Sequence, residues 1–556
     1  MLQFVDAFAV VDARGKPTHG TSGTMVDSPK AGGGASGTST GASAGTATVS
    51  AVGTNECYSS FVQGFGPPVF AIATMDYGFF VQDNWKVTPR LTVEMGLRYD
   101  FQSFPQPSAT YTAPSGTFTP YAGLTNRPSD KNNYGPRLGF SYDVFGKGDT
   151  VLRGGFGMYY GRVQNGIILN AYLNTGSPLG QFTSPSIKPT TAGAPTFPNI
   201  ISSASGSTPT SFYFASNYQN PMVEEFDLQV QQAFGKNTVF SLSYLGALGR
   251  ELPNFLNVNL APAQVSTTIQ VVDAANAGPL KAGTTYTVPT YGTCTASATC
   301  PNPTGYLNPK FGAITEIISN INSNYNGMVA EIQNHAVHGV TFDANYTWSH
   351  ALDDNQNAVS TTTPNNWIDP YAPGRNNYGV SQFNVGNRFV GYVLYEIPGL
   401  ETGKAIKYLT NGWSINDTFQ MQNGLPYSAV LQSSFNSSAA LNSGWNGAGS
   451  VTYIPVIGRN TYQNPRAIVD DLRLQKAFAI TERYNLKLRA DVYNVANHEN
   501  FNSSNLSTSA YVLAAGSGGA NSTMTYLPSF QARSSSNTSG FLYTPREIQL
   551  GARLQF

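Results

Sequence analysis

The chain has 556 residues, 31 Lys+Arg against 31 Asp+Glu, and a pI of about 7.0. Only 11% of residues are charged, against roughly 25% in ordinary soluble domains, yet mean hydropathy is −0.21, so uncharged polar residues with Tyr and Phe fill the deficit. This excludes a nucleic-acid binder, which needs a basic excess, a coiled coil and, with three cysteines, a disulfide scaffold; no run of 18 apolar residues offers a transmembrane helix.

Residues 1–54 read as a low-complexity N-terminal segment. Met1 to Val11 lacks a basic start and carries Asp6, so no secretory signal is read there. Residues 31–54 are almost entirely Gly, Ser, Thr and Ala and cannot bury a core. Gly41-Ala42-Ser43-Ala44-Gly45 matches a nucleophile elbow in letters only, because that motif needs a strand before it and a helix after it. Residues 55–76 read as a connecting loop.

From Tyr77 the chain alternates with period 2, the signature of strands with one apolar and one polar face. Leu91, Val93, Met95, Leu97, Tyr99 and Phe101 share a face opposite Thr92, Glu94, Gly96, Arg98, Asp100 and Gln102. The pattern recurs at 137–144, 225–231, 341–348, 485–492 and 547–556. At 385–398 both phases are apolar, so that strand has no legible orientation. About thirteen segments approach the ~9–11 residues that cross a bilayer as tilted strands.

Short turns at 88–90, 146–149, 235–237, 336–339 and 480–482 alternate with long polar stretches at 104–135, 161–221, 248–325, 351–384, 425–470 and 497–545. Structureless loops beyond ~15 residues are uncommon in soluble sheets, whereas outer-membrane barrels have short turns on one side and long loops on the other. The fold class is therefore all-β: a transmembrane antiparallel β-barrel over residues 77–556 with long extracellular loops. Tyr77, Trp85, Tyr160, Trp348, Trp413, Tyr484 and Phe556 fit aromatic girdles at strand ends.

No catalytic or metal-ligating set emerges, no cofactor is implied, and the chain does not read as an enzyme. His335 and His338 sit at a turn without a carboxylate cluster. Asp353-x-Asn355-x-Asn357 begins like a calcium loop, but Ala358 and Pro364 occupy its Gly and Glu positions. Cys294 and Cys300 are the disulfide candidate of an oxidising surface loop.

YGFFVQDNWKVTPRLTVEMGLRYDF (77–101), YGPRLGFSYDVFGKGDTVLRGGFGMYYGR (134–162), NYTWSHALDD (345–354) and LKLRADVYNVANHENF (486–501) resemble TonB-dependent outer-membrane receptors, Oar-like ones in particular, over roughly 55–556. The resemblance implies a 22-strand barrel of which this chain supplies the C-terminal part, a plug and TonB box absent from it, and energised import of a ligand captured by the loops. The implied partners are outer-membrane lipid, the barrel-insertion machinery, the TonB complex acting through a plug, and an unknown ligand. It marks Leu550, Ala552, Leu554 and Phe556 as a C-terminal insertion signal. The polar-face charges Glu94, Arg98, Asp100, Arg137, Arg153, Asp227, Asp343, Arg473, Arg489, Asp491 and Arg553 would line the lumen, either meeting plug and substrate or pairing among themselves. A passive porin-like barrel and a soluble secreted adhesin are the alternatives. The implied location is the bacterial outer membrane.

Overall fold

A computed structural model describes residues 2–8, 57–65, 73–104, 130–173, 182–183, 210–291, 296–354, 371, 377–400, 402–432, 453–454, 456–481, 483–514, 521–533 and 542–556. The alternating segments form thirteen strands of one sheet. They are β1 Met75–Lys86, β2 Leu91–Ser103, β3 Tyr134–Asp143, β4 Thr150–Tyr160, β5 Met222–Phe234, β6 Thr238–Asn257 and β7 Ile314–Val337. There follow β8 Val340–Asp353, β9 Asn387–Glu396, β10 Trp413–Gln422, β11 Ala467–Ala479, β12 Asn485–Tyr493 and β13 Glu547–Gln555. Each pairs with its successor in sequence, so the sheet is an uninterrupted meander. Among the described residues, no helix is long and apolar enough to cross a membrane.

Turn chemistry sets one end of this meander. β7 and β8 are joined by His338 and Gly339, both at positive φ (52° and 79°). A two-residue hairpin of this hand requires positive φ at both positions. Asp143 closes the β3–β4 turn by accepting from the Gly146 and Gly148 N–H groups (2.8 and 2.9 Å). The β9–β10 link is longer and holds helix α2, Lys404–Thr410.

Pairing register turns alternation into continuous faces, because directly opposed residues in antiparallel strands point the same way. One apolar row runs Leu152, Val230, Leu242, Ala330, Tyr346, Phe389, Met421, Ile468 across β4 to β11. The register also orients the ambiguous segment: Phe389 and Val393 of β9 stand on the apolar face, Val390 and Tyr392 on the polar one.

Two strands outrun their sequence-based limits. β6 continues to Asn257 and β7 begins at Ile314, inside the stretch read as a loop from 248 to 325. Pairing survives there across register shifts around Leu252. Glu251 takes a positive φ of 54° beside the shift. The bulge shifts the phase, and Asn320, Asn322 and Asn324 hide the alternation.

Burial is inverted relative to a soluble sheet. The fully buried large side chains lie in the long connections and the strand ends next to them. Along the strands the apolar face is open: Phe79 is 65% and Leu550 79% exposed, and Val81, Leu138, Leu228, Leu242 and Leu474 are exposed too. At the two margins, β1 pairs only with β2 and β13 only with β12 among the described residues. A separate three-stranded sheet joins Leu2–Phe8, Cys57–Phe65 and Phe182–Thr183.

Candidate functional site

All eleven polar-face charges read from the sequence fall on one face of the sheet. A row runs Gly96, Arg137, Gly157, Glu225, Ala247, Tyr325; another runs Asn416, Arg473, Asp491, Gln549. Many are paired. Arg98 meets Asp100 at 2.8 Å. Asp491, with 3% of its side chain exposed, lies between Arg473 (2.5 Å) and Arg489 (3.4 Å). Arg137 stacks on Tyr159, 4.5 Å from the ring centroid. Arg153 donates to Gln229 (3.4 Å) and Gln231. Glu94 accepts from Asn84 (3.2 Å) and Asp343 from Gln333 (3.3 Å). Asp227 leans over Gly155, where an added Cβ would lie 2.6 Å from its Oδ1. Arg553 stands directly opposite Lys487. A groove of about 530 Å³ follows the glycines of this face, edged by Glu94, Arg137, Glu225 and Asp227.

The long connections co-fold. Val265–Val272 and Thr285–Thr290 from the β6–β7 link, Val430–Leu431 from the β10–β11 link, and Ser509–Ala514 and Ser522–Tyr526 from the β12–β13 link form one five-stranded sheet. Two of its pairings are parallel and join different connections: Ile269 to Val272 against Ser522 to Thr525, and Val430 against Ser509. Ile269, Val271, Leu431, Ile454, Tyr511 and Met524 are among its buried core. Tyr511 accepts the Leu280 N–H (2.9 Å), and burial pushes its phenol up to about 12. The β4–β5 connection forms a second core: helix α1 (Asn165–Leu173) packs with Phe214, Tyr218, Phe255 and Ile317. Gln102 fixes it with a reciprocal pair of bonds to Val163 (2.9 and 3.2 Å). Burial, with Asp130 nearby, raises the Tyr218 phenol well above its usual range.

Arg459 ties three segments together at this end. It is ion-paired with Asp353 at the end of β8, also bonds the Asp353 carbonyl, and donates from Nε to the Asn377 carbonyl (2.6 Å). At the same end, Gln382, Phe383, Asn464 and Asn502 line an uncharged cavity of about 320 Å³. Sequence reading missed Arg459 and the crown core. The only local trace was short apolar stretches, Ile269 to Val272 broken by Gln270 and Ala510 to Ala514, too brief to mark a core inside segments dominated by Ser, Thr, Asn and Gly.

The girdle residues form two rows. Tyr77, Tyr160 and Trp348 lie toward the long-connection end of the apolar face, and Trp85 and Trp413 toward the short-turn end; Tyr484 and Phe556 are exposed at that same end. Tyr77 and Trp85 are about 27 Å apart along β1, which a tilt of roughly 40° projects to about 21 Å along the membrane normal, a little inside the ~25 Å apolar band of an outer-membrane barrel. Leu550, Ala552 and Leu554 stand on the apolar face of β13, and Phe556 is 86% exposed. His335 is exposed and His338 occupies the hairpin turn. No group of three or more His, Cys, Asp or Glu is poised for a metal among the described residues. Cys300 is buried and disulfide-bonded. Cys294, Ser43, Asn355 and Asn357 lie outside the described residues.

A family model described as "Outer membrane beta barrel domain" matches residues 25–549. No curated protein matches the chain. Similar solved structures include the outer membrane transporter YddB of Escherichia coli, at 13% identity and a TM-score of 0.43, covering 77% of this chain and 42% of that one. The siderophore receptor PirA of Acinetobacter baumannii gives 10% and 0.42, covering 87% and 46%. The ferripyoverdine receptor of Pseudomonas aeruginosa gives 11% and 0.40, covering 90% and 40%. The chain spans less than half the length of each of these structures.

Proposed function

We propose a function from one premise: the chain belongs to the outer membrane beta barrel domain family and resides in the bacterial outer membrane. On this reading it is the barrel wall and surface crown of a TonB-dependent, Oar-like receptor that captures a scarce ligand at the crown and imports it with energy from the inner membrane. The open apolar face meets lipid, the polar face lines the lumen, and the long connections are extracellular. The single observation that carries the reading is the inversion of burial along thirteen strands, with buried cores gathered at one end. An apolar sheet face of this size is stable only against lipid or a second layer. The co-folded crown supplies a preorganised surface of the kind on which binding residues are carried.

The energised step rests on the resemblance at 77–101, 134–162, 345–354 and 486–501. The TonB complex would act through a plug outside this chain, and the insertion machinery would read Leu550, Ala552, Leu554 and Phe556. Five of the eleven lumen charges are ion-paired, Arg98 with Asp100 and both Arg473 and Arg489 with Asp491, which suits a hydrated wall rather than a catalytic site. The test is uptake of a panel of large ligands (ferric chelates, oligosaccharides, peptides) by cells with and without the gene. Uptake of one ligand class is expected to require the gene and to stop when the proton gradient is collapsed. Gene-dependent uptake that continues without the gradient would instead identify a passive pore.

A further inference from the structure

Helix α2 lies on the outer side of the wall. Trp413, Lys476 and Phe478 share the apolar face with Ile415 and Leu474, as the registers of β10, β11 and β12 require. α2 packs on these three. The Tyr408 ring lies 5.5 Å from Phe478, and Trp413 Nε1 donates to the Leu409 carbonyl (2.9 Å). Lys476, only 4% exposed, sends its ammonium to the carbonyls of Tyr408 and Leu409 (3.1 Å each) and of Asn411. It also lies 5.4 and 5.1 Å from the Trp413 and Phe478 rings. The last carbonyls of a helix lack internal partners, and a cation is the preferred cap. A seven-residue helix does not persist by itself in water; here the buried ammonium fixes it to the wall.

What α2 turns outward is apolar. Ile406, Tyr408 and Leu409, with Leu400 before them, are exposed, Leu409 by 66%. Leu400 N–H donates to the Thr410 hydroxyl (3.0 Å), which donates to the Ile406 carbonyl (2.8 Å), so the segment is closed on itself. The patch continues the lipid-facing apolar face at the row that holds Trp413 and Tyr484. Lys404 and Lys407 are balanced by Glu396 and Glu401 in the same segment, so no excess charge selects one headgroup.

We propose that α2 is a membrane-interface anchor, seated in the headgroup zone of the periplasmic leaflet with Leu400, Ile406 and Leu409 in the acyl boundary and Lys407 beside phospholipid phosphates. Lys476 is its positioning residue. Amphipathic helices lie in that zone when an apolar side faces the acyl boundary and long cationic side chains reach back to the headgroups.

Spin labels in isolated outer membranes test this, since the chain is already inserted there. In a Cys57→Ser background, a label at Leu409→Cys is compared with one at Leu472→Cys on the apolar face and one at Lys236→Cys in the β5–β6 turn. The Leu409 label is expected to collide readily with oxygen and poorly with an aqueous nickel chelate, like Leu472 and unlike Lys236. Nickel accessibility equal to that of Lys236 would overturn the proposal. Poor access by both reagents would also overturn it, because a protein partner would then cover α2. Lys476→Met is expected to raise nickel accessibility at position 409 severalfold, and Lys476→Arg to restore the original ratio. No change with Lys476→Met would remove Lys476 from the positioning role.

Discussion

Arg459 shows how a single side chain can hold loops that no regular strand holds. Its side chain is 4% exposed and ion-paired with Asp353, which itself ends a wall strand. Nε serves the Asn377 carbonyl, and Nη1 is buried without a hydrogen-bond partner. A buried pair of this kind is weak evidence of net stability, but breaking it leaves an uncompensated charge at a cost of about 3–5 kcal/mol. Arg459→Met removes the cation and abandons the Asp353 carboxylate. The expected result is a crown that opens locally while the wall stays folded. Limited proteolysis should cut near 377–386 and 453–460 at least tenfold faster, with the heat-dependent gel shift of the barrel unchanged. Asp353→Asn should be milder, because an amide oxygen still accepts from Arg459. Equal loss of the gel shift in both variants would mean that the contact stabilises the wall as well. The charges of the polar face differ in kind: Arg98–Asp100 is a pair along one strand and Arg473–Asp491 a pair across two, and the sequence showed that these residues share a face but not which of them meet.

Strands are the elements that the sequence exposes most fully, because their period is visible wherever one face meets an apolar medium and the other does not. The alternations at 91–102 and 485–492 became β2 and β12 with their polar and apolar sets unmixed. The crown was illegible for the opposite reason. Its strands are two to eight residues long, and its core assembles residues as distant as Leu280 and Tyr511, so no local window contains the pattern. The strand at 385–398 could not be oriented because both of its faces are apolar, and only pairing with β8 and β10 decides it. One feature was legible and unread: Asp417 and Asp470 occupy apolar-face positions, opposite Leu472 and Phe419. Asp417 Oδ1 is buried without a partner, and the two carboxyl groups are neighbours. Replacing a charged group on a lipid-facing wall by an apolar one should stabilise it, by less than the ~2–4 kcal/mol measured for cationic residues at the bilayer midplane. Asp417→Leu is therefore expected to raise the urea midpoint of the membrane-inserted chain by an amount worth about 1–2 kcal/mol. A lowered midpoint would show that the carboxyl pair has a partner in the membrane, such as another wall segment.

At the scale of the whole molecule the decisive features are the two margins of the meander. β1 exposes all twelve of its residues and β13 eight of its nine, and each leaves one row of N–H and C=O groups without a strand beside it among the described residues. In water such edges template aggregation; within hydrocarbon each unsatisfied backbone group costs several kcal/mol, and spanning sheets are closed for that reason. Thirteen strands is also an odd number, whereas single-chain bacterial barrels close with an even one. A spanning sheet must have both margins paired, and strands beside β1 and β13 are expected to pair them in the membrane. Backbone amide exchange distinguishes the states. In intact outer membranes the amides of Tyr77 to Trp85 and of Ile548 to Leu554 are expected to exchange as slowly as those of Val93 to Tyr99 in β2, because neighbouring strands occupy both margins. In the same chain refolded alone into detergent, only the amides that face β2 or β12 should stay protected, leaving every second position of β1 and β13 to exchange at least a hundredfold faster. Protection of all positions in detergent would mean that the margins meet each other, or a second copy, without any added strand. Fast alternate exchange even in the native membrane would mean that the wall remains open there.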